Sequence, residues 1–310
     1  MLRRPLALLL LATTAVVSAF AQSQTGTQMG SATYLSYNPF TRASNLSQLL
    51  LYELPDPSIW GAGPYPVFMW VPGTLELYND QLSLLMIDQM AQRGFLSVSV
   101  QYNNLLLLAQ SCPDYTARAL SIFDATTATS GVSTVCAMSS ANCSQGLVTS
   151  GVSQGGNIAI LSANYAPQVQ AVFAMSAGDY LGVGSGVDFS ACLAKANTTI
   201  PSNRLTIVNG ANDTLFGSLL STTGASGVSC DPGTAECWSP DASGAGWILV
   251  PGSLKTSGSA DHCYMAADGC TSKLFDPNWL PPATYNWSLA PNLDWLASLG
   301  TARVLSSTGQ

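Results

Sequence analysis

The residues Gly-Val-Ser-Gln-Gly at positions 151–155 lie between two segments of different character. The apolar run 146–149 before them is typical of a strand, and residues 157–164 after them are typical of a helix. A strand that turns sharply into a helix lifts a serine hydroxyl clear of the backbone, and only small flanking residues fit that strained turn. The sequence therefore predicts a strand, a tight turn at Ser153 and a helix, with the Ser153 Oγ exposed for chemistry.

The chain contains one histidine, His262, which lies 109 residues after Ser153. A serine hydroxyl is a poor nucleophile at neutral pH and needs a neighbouring base. His262 follows an apolar strand candidate at 247–250 and lies in a loop rich in Gly, Ser and Asp. A lone histidine is more often a surface or core residue. After a Gly-x-Ser-x-Gly turn, however, this is where a base is expected in the order Ser, acid, His, and we predict His262 as that base.

The third member of such a site is a carboxylate that holds the imidazole tautomer. Asp213 is the best placed, because it follows the apolar segment 205–208 and a turn, and loops at the carboxyl ends of strands carry functional groups. Alternatively, Asp213 is an aspartate that only stabilises the turn through an Asx-type hydrogen bond. Asp179 is the main rival, since it follows the strand candidate 172–175. Asp261 adjoins the histidine, but neighbouring side chains on an extended loop diverge.

With Ser153, Asp213 and His262 in that order, the chain resembles the α/β-hydrolase superfamily. The resemblance also includes the early segment 66–74, and it implies an α/β-hydrolase fold, a mostly parallel central sheet with helices on both faces. It further implies an oxyanion hole made by the backbone N–H groups of Thr74 and Gln154. In the lipase and esterase pattern a His-Gly-Gly-Gly turn stands where this chain has Pro-Gly-Thr at 72–74, which leaves Leu75 as an alternative first donor.

Strand and helix candidates alternate along the chain, as expected for a mostly parallel sheet. We predict a helix over 79–92, a strand over 95–100 and a final helix over about 292–299. Apolar residues and serines alternate in the strand, which suggests that one of its faces is less fully covered. The segments 103–145 and 217–246 are expected to be loops that line or cover the site. No linker divides residues 22–310, which are predicted to form one domain.

The first 21 residues have the pattern of a secretory signal peptide. Two arginines precede an apolar stretch that is too short to span a membrane, and Ala-Phe-Ala at 19–21 offers a cleavage site. Loss of the leader changes the formal charge from −7 to −9, which disfavours nucleic acid and anionic membrane surfaces as partners. We therefore predict a secreted protein, extracellular or periplasmic, without stable membrane insertion.

Eight cysteines fit an oxidising compartment and up to four disulfides. The sequence does not determine their connectivity, although the local pairs Cys230–Cys237 and Cys263–Cys270 are plausible. No Cys-x-x-Cys occurs and no second histidine is present, so a zinc site is not expected. We predict neither a metal nor a cofactor.

These features favour a secreted serine hydrolase that cleaves carboxylic esters through an acyl-enzyme on Ser153. The substrate can be a small-molecule, lipid or polymeric ester. A polyester depolymerase or a serine peptidase would use the same three side chains. A non-catalytic secreted binding protein on this fold is the alternative of another class, because fold does not imply function.

Overall fold

The computed structural model describes residues 28–105, 111–181, 187–231, 233–270 and 272–301. The predicted signal peptide, residues 1–21, lies outside the described residues.

Nine of the strands in the described part of the chain form one mixed sheet. Its spatial order is β1-β2-β4-β3-β5-β6-β9-β11-β10, and the pairs β4-β3, β3-β5, β5-β6, β6-β9 and β9-β11 are parallel. The antiparallel pairs lie at the two edges. The strands are β1 (Gln28–Asn38), β2 (Ala43–Leu54), β3 (Val67–Val71), β4 (Leu96–Val100), β5 (Leu147–Val152), β6 (Val169–Met175), β9 (Leu205–Gly210), β10 (Glu236–Trp238) and β11 (Gly246–Val250), with a separate hairpin of β7 (Tyr180–Leu181) and β8 (Val187–Asp188).

Helices cover both faces of this sheet and bury it. Alternate residues of β3 show the two layers: Val67, Met69 and Val71 belong to one apolar cluster, and Phe68 and Trp70 to the other. The helices are α1 (Pro57–Trp60), α2 (Gln81–Ala91), α3 (Cys112–Phe123), α4 (Gly131–Cys136), α5 (Gln154–Ile160), α6 (Ser162–Tyr165), α7 (Ser190–Leu193), α8 (Leu219–Ser226) and α9 (Leu289–Thr301), with 3-10 turns at Lys195–Asn197, Ser202–Arg204 and Gly252–Leu254. Residues from α3, α4 and α5 pack in the first cluster and residues from α2 and α9 in the second.

The predicted alternation of exposure in β4 is wrong, because all five of its residues are buried. Ser97 and Ser99 pair with Phe68 and Trp70 of β3, so small side chains stand beside large ones in the same layer. Helix α2 covers this face, and its Ser83 accepts a hydrogen bond from the Trp70 indole at 3.1 Å. A serine in a parallel strand can therefore leave room for a neighbour instead of marking a solvent face.

The two segments expected to be loops contain regular structure. The first, 103–145, contains α3 and α4, and the second, 217–246, contains α8 and β10. The predicted helices over 79–92 and 292–299 are present as α2 and α9, and α9 begins three residues earlier than expected.

All eight cysteines are paired in the structure. Cys230–Cys237 and Cys263–Cys270, the two local pairs suggested by the sequence, are both present. Cys136–Cys143 is a third bridge of the same span, and Cys112–Cys192 joins α3 to α7 across 80 residues. Of the helices that the structure describes, none is long and apolar enough to cross a membrane.

Candidate active site

Ser153 occupies the sharp turn between β5 and α5. Its φ of 55° and ψ of −121° are unusual for an L-residue, and its N–H donates to the Met175 carbonyl at 2.8 Å, which holds this strained conformation. The turn packs tightly against the end of β3. A Cβ placed on Gly155 would lie 2.1 Å from the Val71 carbonyl oxygen, so only glycine fits there. The predicted strand, turn and helix are therefore present at residues 147–160.

The structure brings Ser153, His262 and Asp213 into one hydrogen-bonded chain. His262 Nε2 lies 2.8 Å from Ser153 Oγ, and His262 Nδ1 lies 2.8 Å from Asp213 Oδ2. A carboxylate oxygen only accepts hydrogen bonds, so Nδ1 carries the proton and Nε2 is free to accept the hydrogen of the serine hydroxyl. The Ser176 hydroxyl donates to the His262 carbonyl and fixes the backbone behind the ring.

The Asp213 carboxylate is fully buried and held on both oxygens. Its Oδ1 accepts hydrogen bonds from the N–H groups of Leu215 at 2.7 Å and Phe216 at 3.1 Å. Beneath this turn, Asn209 Nδ2 donates to the Phe216 carbonyl at 3.0 Å. These bonds leave Oδ2 directed at the imidazole. Sequence reasoning missed Asn209, whose only signal was a polar residue near the end of a buried strand.

The rival carboxylates have other surroundings. Asp179 is buried beside α8, where a Cβ on Gly224 would lie 2.1 Å from its Oδ2. Burial, with a smaller contribution from the charge of Asp188, raises the pKa of Asp179 to about 6. Asp261 Oδ1 accepts the Cys263 N–H at 3.0 Å and so shapes the histidine loop. Within the described ranges, neither carboxylate is hydrogen-bonded to His262.

The two predicted oxyanion donors lie next to the nucleophile. Thr74 belongs to the turn after β3 and lines the same cleft as Ser153, and Gln154 is the first residue of α5. Among the residues that the structure describes, the N–H groups of Thr74 and Gln154 have no hydrogen-bond acceptor. Leu75, the alternative donor, also lines the cleft, has a φ of 63° and is 64% exposed.

A carboxyl that the sequence analysis missed is part of this turn. Glu76 Oε2 accepts the Gly73 N–H at 2.6 Å, and Glu76 also lines the cleft. Burial raises the pKa of Glu76 to about 7, and the neighbouring charge of Asp80 acts in the same direction. In the sequence, Glu76 is only a glutamate three residues after a glycine in a turn. A solvent-exposed glutamate would give the same pattern.

The cleft above Ser153 has a volume of about 470 Å³ and mostly apolar walls. They come from Leu75, Val152, Leu215 and Phe216, and the Cys263–Cys270 disulfide forms part of the rim. The segment 103–145, which was expected to line the site as a loop, contributes Tyr115 of α3 to the cleft. Among the residues that the structure describes, no three His, Cys, Asp or Glu side chains are grouped so that they could hold a metal ion.

No family model matches the chain, and no curated protein matches its sequence. Solved structures do match it. A 2,6-dihydroxy-pseudo-oxynicotine hydrolase is similar with a TM-score of 0.51 and 14% identity, over 88% of this chain and 68% of that one. A ferulic acid esterase matches with a TM-score of 0.43 and 15% identity, over 61% and 81% of the two chains. A hypothetical protein from Pseudomonas aeruginosa matches with a TM-score of 0.36 and 14% identity, over 56% of this chain and 48% of that one. The match therefore spans about half of the length of the Pseudomonas protein.

The chain has the α/β-hydrolase fold. In this α/β-hydrolase framework, four loops at the carboxyl ends of strands supply the candidate site. Thr74 follows β3, Ser153 follows β5, Asp213 follows β9, and His262 follows β11. Because β3, β5, β9 and β11 run parallel within one sheet, these loops meet at one edge, where α/β proteins bind ligands.

Proposed function

We propose that this protein is a secreted serine hydrolase that cleaves carboxylic esters through an acyl-enzyme on Ser153, with His262 as the base and Asp213 as the acid. The observation that carries the proposal is the pair of 2.8 Å contacts that link Ser153 Oγ to His262 and His262 to Asp213. A serine hydroxyl becomes nucleophilic at neutral pH when an adjacent base takes its proton, and the carboxylate orients that base.

Acylation begins when Ser153 Oγ attacks the ester carbonyl carbon and His262 Nε2 takes the hydroxyl proton. The imidazolium that forms is stabilised by the buried Asp213 carboxylate. When the tetrahedral intermediate collapses, Nε2 gives this proton to the alcohol oxygen as the ester C–O bond breaks. The alcohol leaves, and the acyl group remains on Ser153.

Deacylation uses the same groups in the same order. Water attacks the acyl carbonyl, and His262 Nε2 takes one of its protons and then returns it to Ser153 Oγ as the acid is released. In both halves of the reaction the N–H groups of Thr74 and Gln154 donate hydrogen bonds to the negatively charged carbonyl oxygen. Two fixed donors at this position lower the barrier because they are directed at charge that develops only in the transition state.

The apolar walls formed by Leu75, Leu215 and Phe216 favour an uncharged acyl or alcohol group beside Ser153. The four disulfides and the leader-like first 21 residues support export to an oxidising compartment, extracellular or periplasmic. The similarity in fold to a hydrolase agrees with this chemistry. The substrate is therefore proposed to be an apolar small-molecule, lipid or polymeric ester.

The test combines covalent labelling with a substrate panel. The wild-type protein is expected to react with a fluorophosphonate probe and to hydrolyse p-nitrophenyl esters graded by acyl length, with lower rates for matched anilides. Ser153→Ala is expected to retain the melting temperature, lose labelling and lose about 10⁴- to 10⁶-fold in kcat. An alanine variant that keeps more than a tenth of wild-type turnover removes Ser153 from the mechanism. A wild-type protein that neither labels nor turns over any ester favours the binding-protein alternative.

A further inference from the structure

The two peptide groups before Thr74 are held by side chains outside the proposed triad. In the first, Pro72–Gly73, the carbonyl accepts a hydrogen bond from the Tyr102 hydroxyl at 2.9 Å. The N–H of the same group donates to Glu76 Oε2 at 2.6 Å. Both ends of this peptide plane are therefore fixed, one by the segment after β4 and the other by the turn itself.

In the second peptide group, Gly73–Thr74, only the carbonyl is held. It accepts a hydrogen bond from Asn104 Nδ2 at 2.6 Å, and the Glu76 N–H donates to it at 3.3 Å. Asn104 Nδ2 also donates to the Glu76 carbonyl at 2.7 Å, so one buried amide spans both ends of the turn.

The planarity of the peptide bond links this contact to catalysis. The Gly73–Thr74 bond is trans, so its N–H points opposite to its carbonyl. Since Asn104 holds the carbonyl on its own side, the Thr74 N–H points away from Asn104. Thr74 lines the cleft beside Ser153, and Asn104 is buried behind the turn.

We infer that Asn104 is a positioning residue that fixes the Thr74 N–H as an oxyanion donor, and that Glu76 supports it by fixing the preceding peptide plane. This inference rests on the proposed ester hydrolysis. A donor that is already oriented needs no reorganisation when charge develops on the carbonyl oxygen, so its benefit falls on the transition state and not on the bound substrate. Without Asn104, only the 3.3 Å bond from the Glu76 N–H holds the Gly73 carbonyl, so the peptide plane can rotate and move the Thr74 N–H out of line.

The experiment compares Asn104→Ala with Asn103→Ala. Asn103 is the neighbouring asparagine, and its Oδ1 accepts the Leu105 N–H at 3.5 Å within its own loop. Steady-state kinetics on a p-nitrophenyl ester and inhibition by butylboronic acid, whose serine adduct is a tetrahedral oxyanion mimic, are measured for both. Asn104→Ala is expected to lose about 10- to 10²-fold in kcat, below the loss for a deleted donor. Its KM stays within about twofold, and its boronic acid Ki rises in parallel with the loss in kcat. Asn103→Ala leaves all three unchanged.

A second pair of variants tests the support from Glu76 and remains informative if Asn104→Ala does not fold. Glu76→Gln keeps an acceptor for the Gly73 N–H and is expected to stay within about threefold of wild type in kcat. Glu76→Ala removes the acceptor and is expected to lose about tenfold or more in kcat at unchanged KM. Equal kcat values for these two variants contradict the role of Glu76.

The role of Asn104 is overturned by a raised KM at unchanged kcat, by a kcat loss without a change in the boronic acid Ki, or by wild-type behaviour of Asn104→Ala. The proposed function fails separately, if Ser153→Ala remains active. If Ser153→Ala is inactive while Asn104→Ala behaves as wild type, only the positioning role is wrong.

Discussion

The N–H of Asn212 donates a hydrogen bond to the Ala260 carbonyl at 2.8 Å and joins the loop of Asp213 to the loop of His262. Just before it, a Cβ on Gly210 would lie 2.3 Å from the same carbonyl oxygen. The two loops therefore meet backbone to backbone at the carboxyl ends of β9 and β11. This contact sets the separation of the two side chains that must hydrogen-bond with each other.

Gly210→Ala should separate these loops. The added methyl group overlaps backbone atoms that cannot move aside as a flexible side chain can, so we expect about 1–3 kcal/mol of destabilisation. Displacement of His262 from Asp213 should also lower kcat, by about 10²-fold for a shift of 1 Å. Thermal melts and ester hydrolysis measure the two effects. Gly61→Ala is the control. Its φ of 78° makes alanine strained there, but open space surrounds the position, so the added methyl group displaces no neighbour. A Gly210→Ala variant no slower than Gly61→Ala would contradict the steric argument.

The two candidate acids give opposite expectations. Asp213→Asn should lower kcat by about 10⁴-fold, because an amide at this position can favour the wrong imidazole tautomer. Asp179→Asn should leave kcat close to wild type, since its carboxylate packs against Gly224 instead of His262. Kinetics at saturating ester concentration compare them directly. If the two effects were reversed, the acid would belong to the loop after β6.

The parts of the site that sequence reasoning placed are those fixed by local chemistry and chain order. The small residues around Ser153 signal a strained strand-to-helix turn, and a single histidine left one candidate base. Asp213 was favoured because it follows an apolar segment and a turn, and the structure places it in the loop after β9, which pairs with β11.

The parts that sequence reasoning missed depend on contacts between distant segments. Asn104 and Gly73 are 31 residues apart, and no local pattern says that the amide of one will reach the carbonyl of the other. Ser97 and Ser99 looked like a solvent face because alternation within one strand says nothing about the size of Trp70 in the next. The Cys112–Cys192 bridge likewise requires the tertiary arrangement of α3 and α7.

Glu76 should make stability depend on pH. Burial is the main reason that its folded-state pKa rises from 4.5 to about 7. The hydrogen bond from the Gly73 N–H and the charge of His262 lower this pKa, and the charge of Asp80 raises it. The folded protein then holds a proton that the unfolded chain has lost, so this contribution to stability is full below pH 4.5 and falls until about pH 7. Tyr102, which also faces this carboxyl, stays neutral over that range because burial raises its pKa.

Glu76→Gln should therefore become more stable relative to wild type as pH rises from 4.5 to 7, by about 1–3 kcal/mol. Denaturant unfolding at several pH values measures the difference. Asp80→Asn, which keeps a good helix cap for α2, removes a like charge and should shift the transition to lower pH. A difference between Glu76→Gln and wild type that is constant over this range would contradict the assignment.

The Cys263–Cys270 disulfide should matter for activity as well as stability, and the chain contains its own control. Cys230–Cys237 closes a loop of the same span, so the chain-entropy contribution of the two bridges should be the same, about 2–3 kcal/mol each. They differ in place: Cys263 follows His262 directly, and both members of that bridge line the cleft. A bridge at this point limits the freedom of the loop that holds the imidazole near Ser153.

The double variants Cys263→Ser/Cys270→Ser and Cys230→Ser/Cys237→Ser should thus lose similar stability in thermal melts. Only the first should lose kcat, by about 10-fold or more, because only its loop positions the base. Non-reducing peptide mass spectrometry of the wild-type protein checks both pairings. Equal kcat values for the two variants, or free thiols at Cys263 and Cys270 in the active wild-type protein, would show that the imidazole is held without this bridge, by Ser176, Asp213 and the Ala260 contact alone.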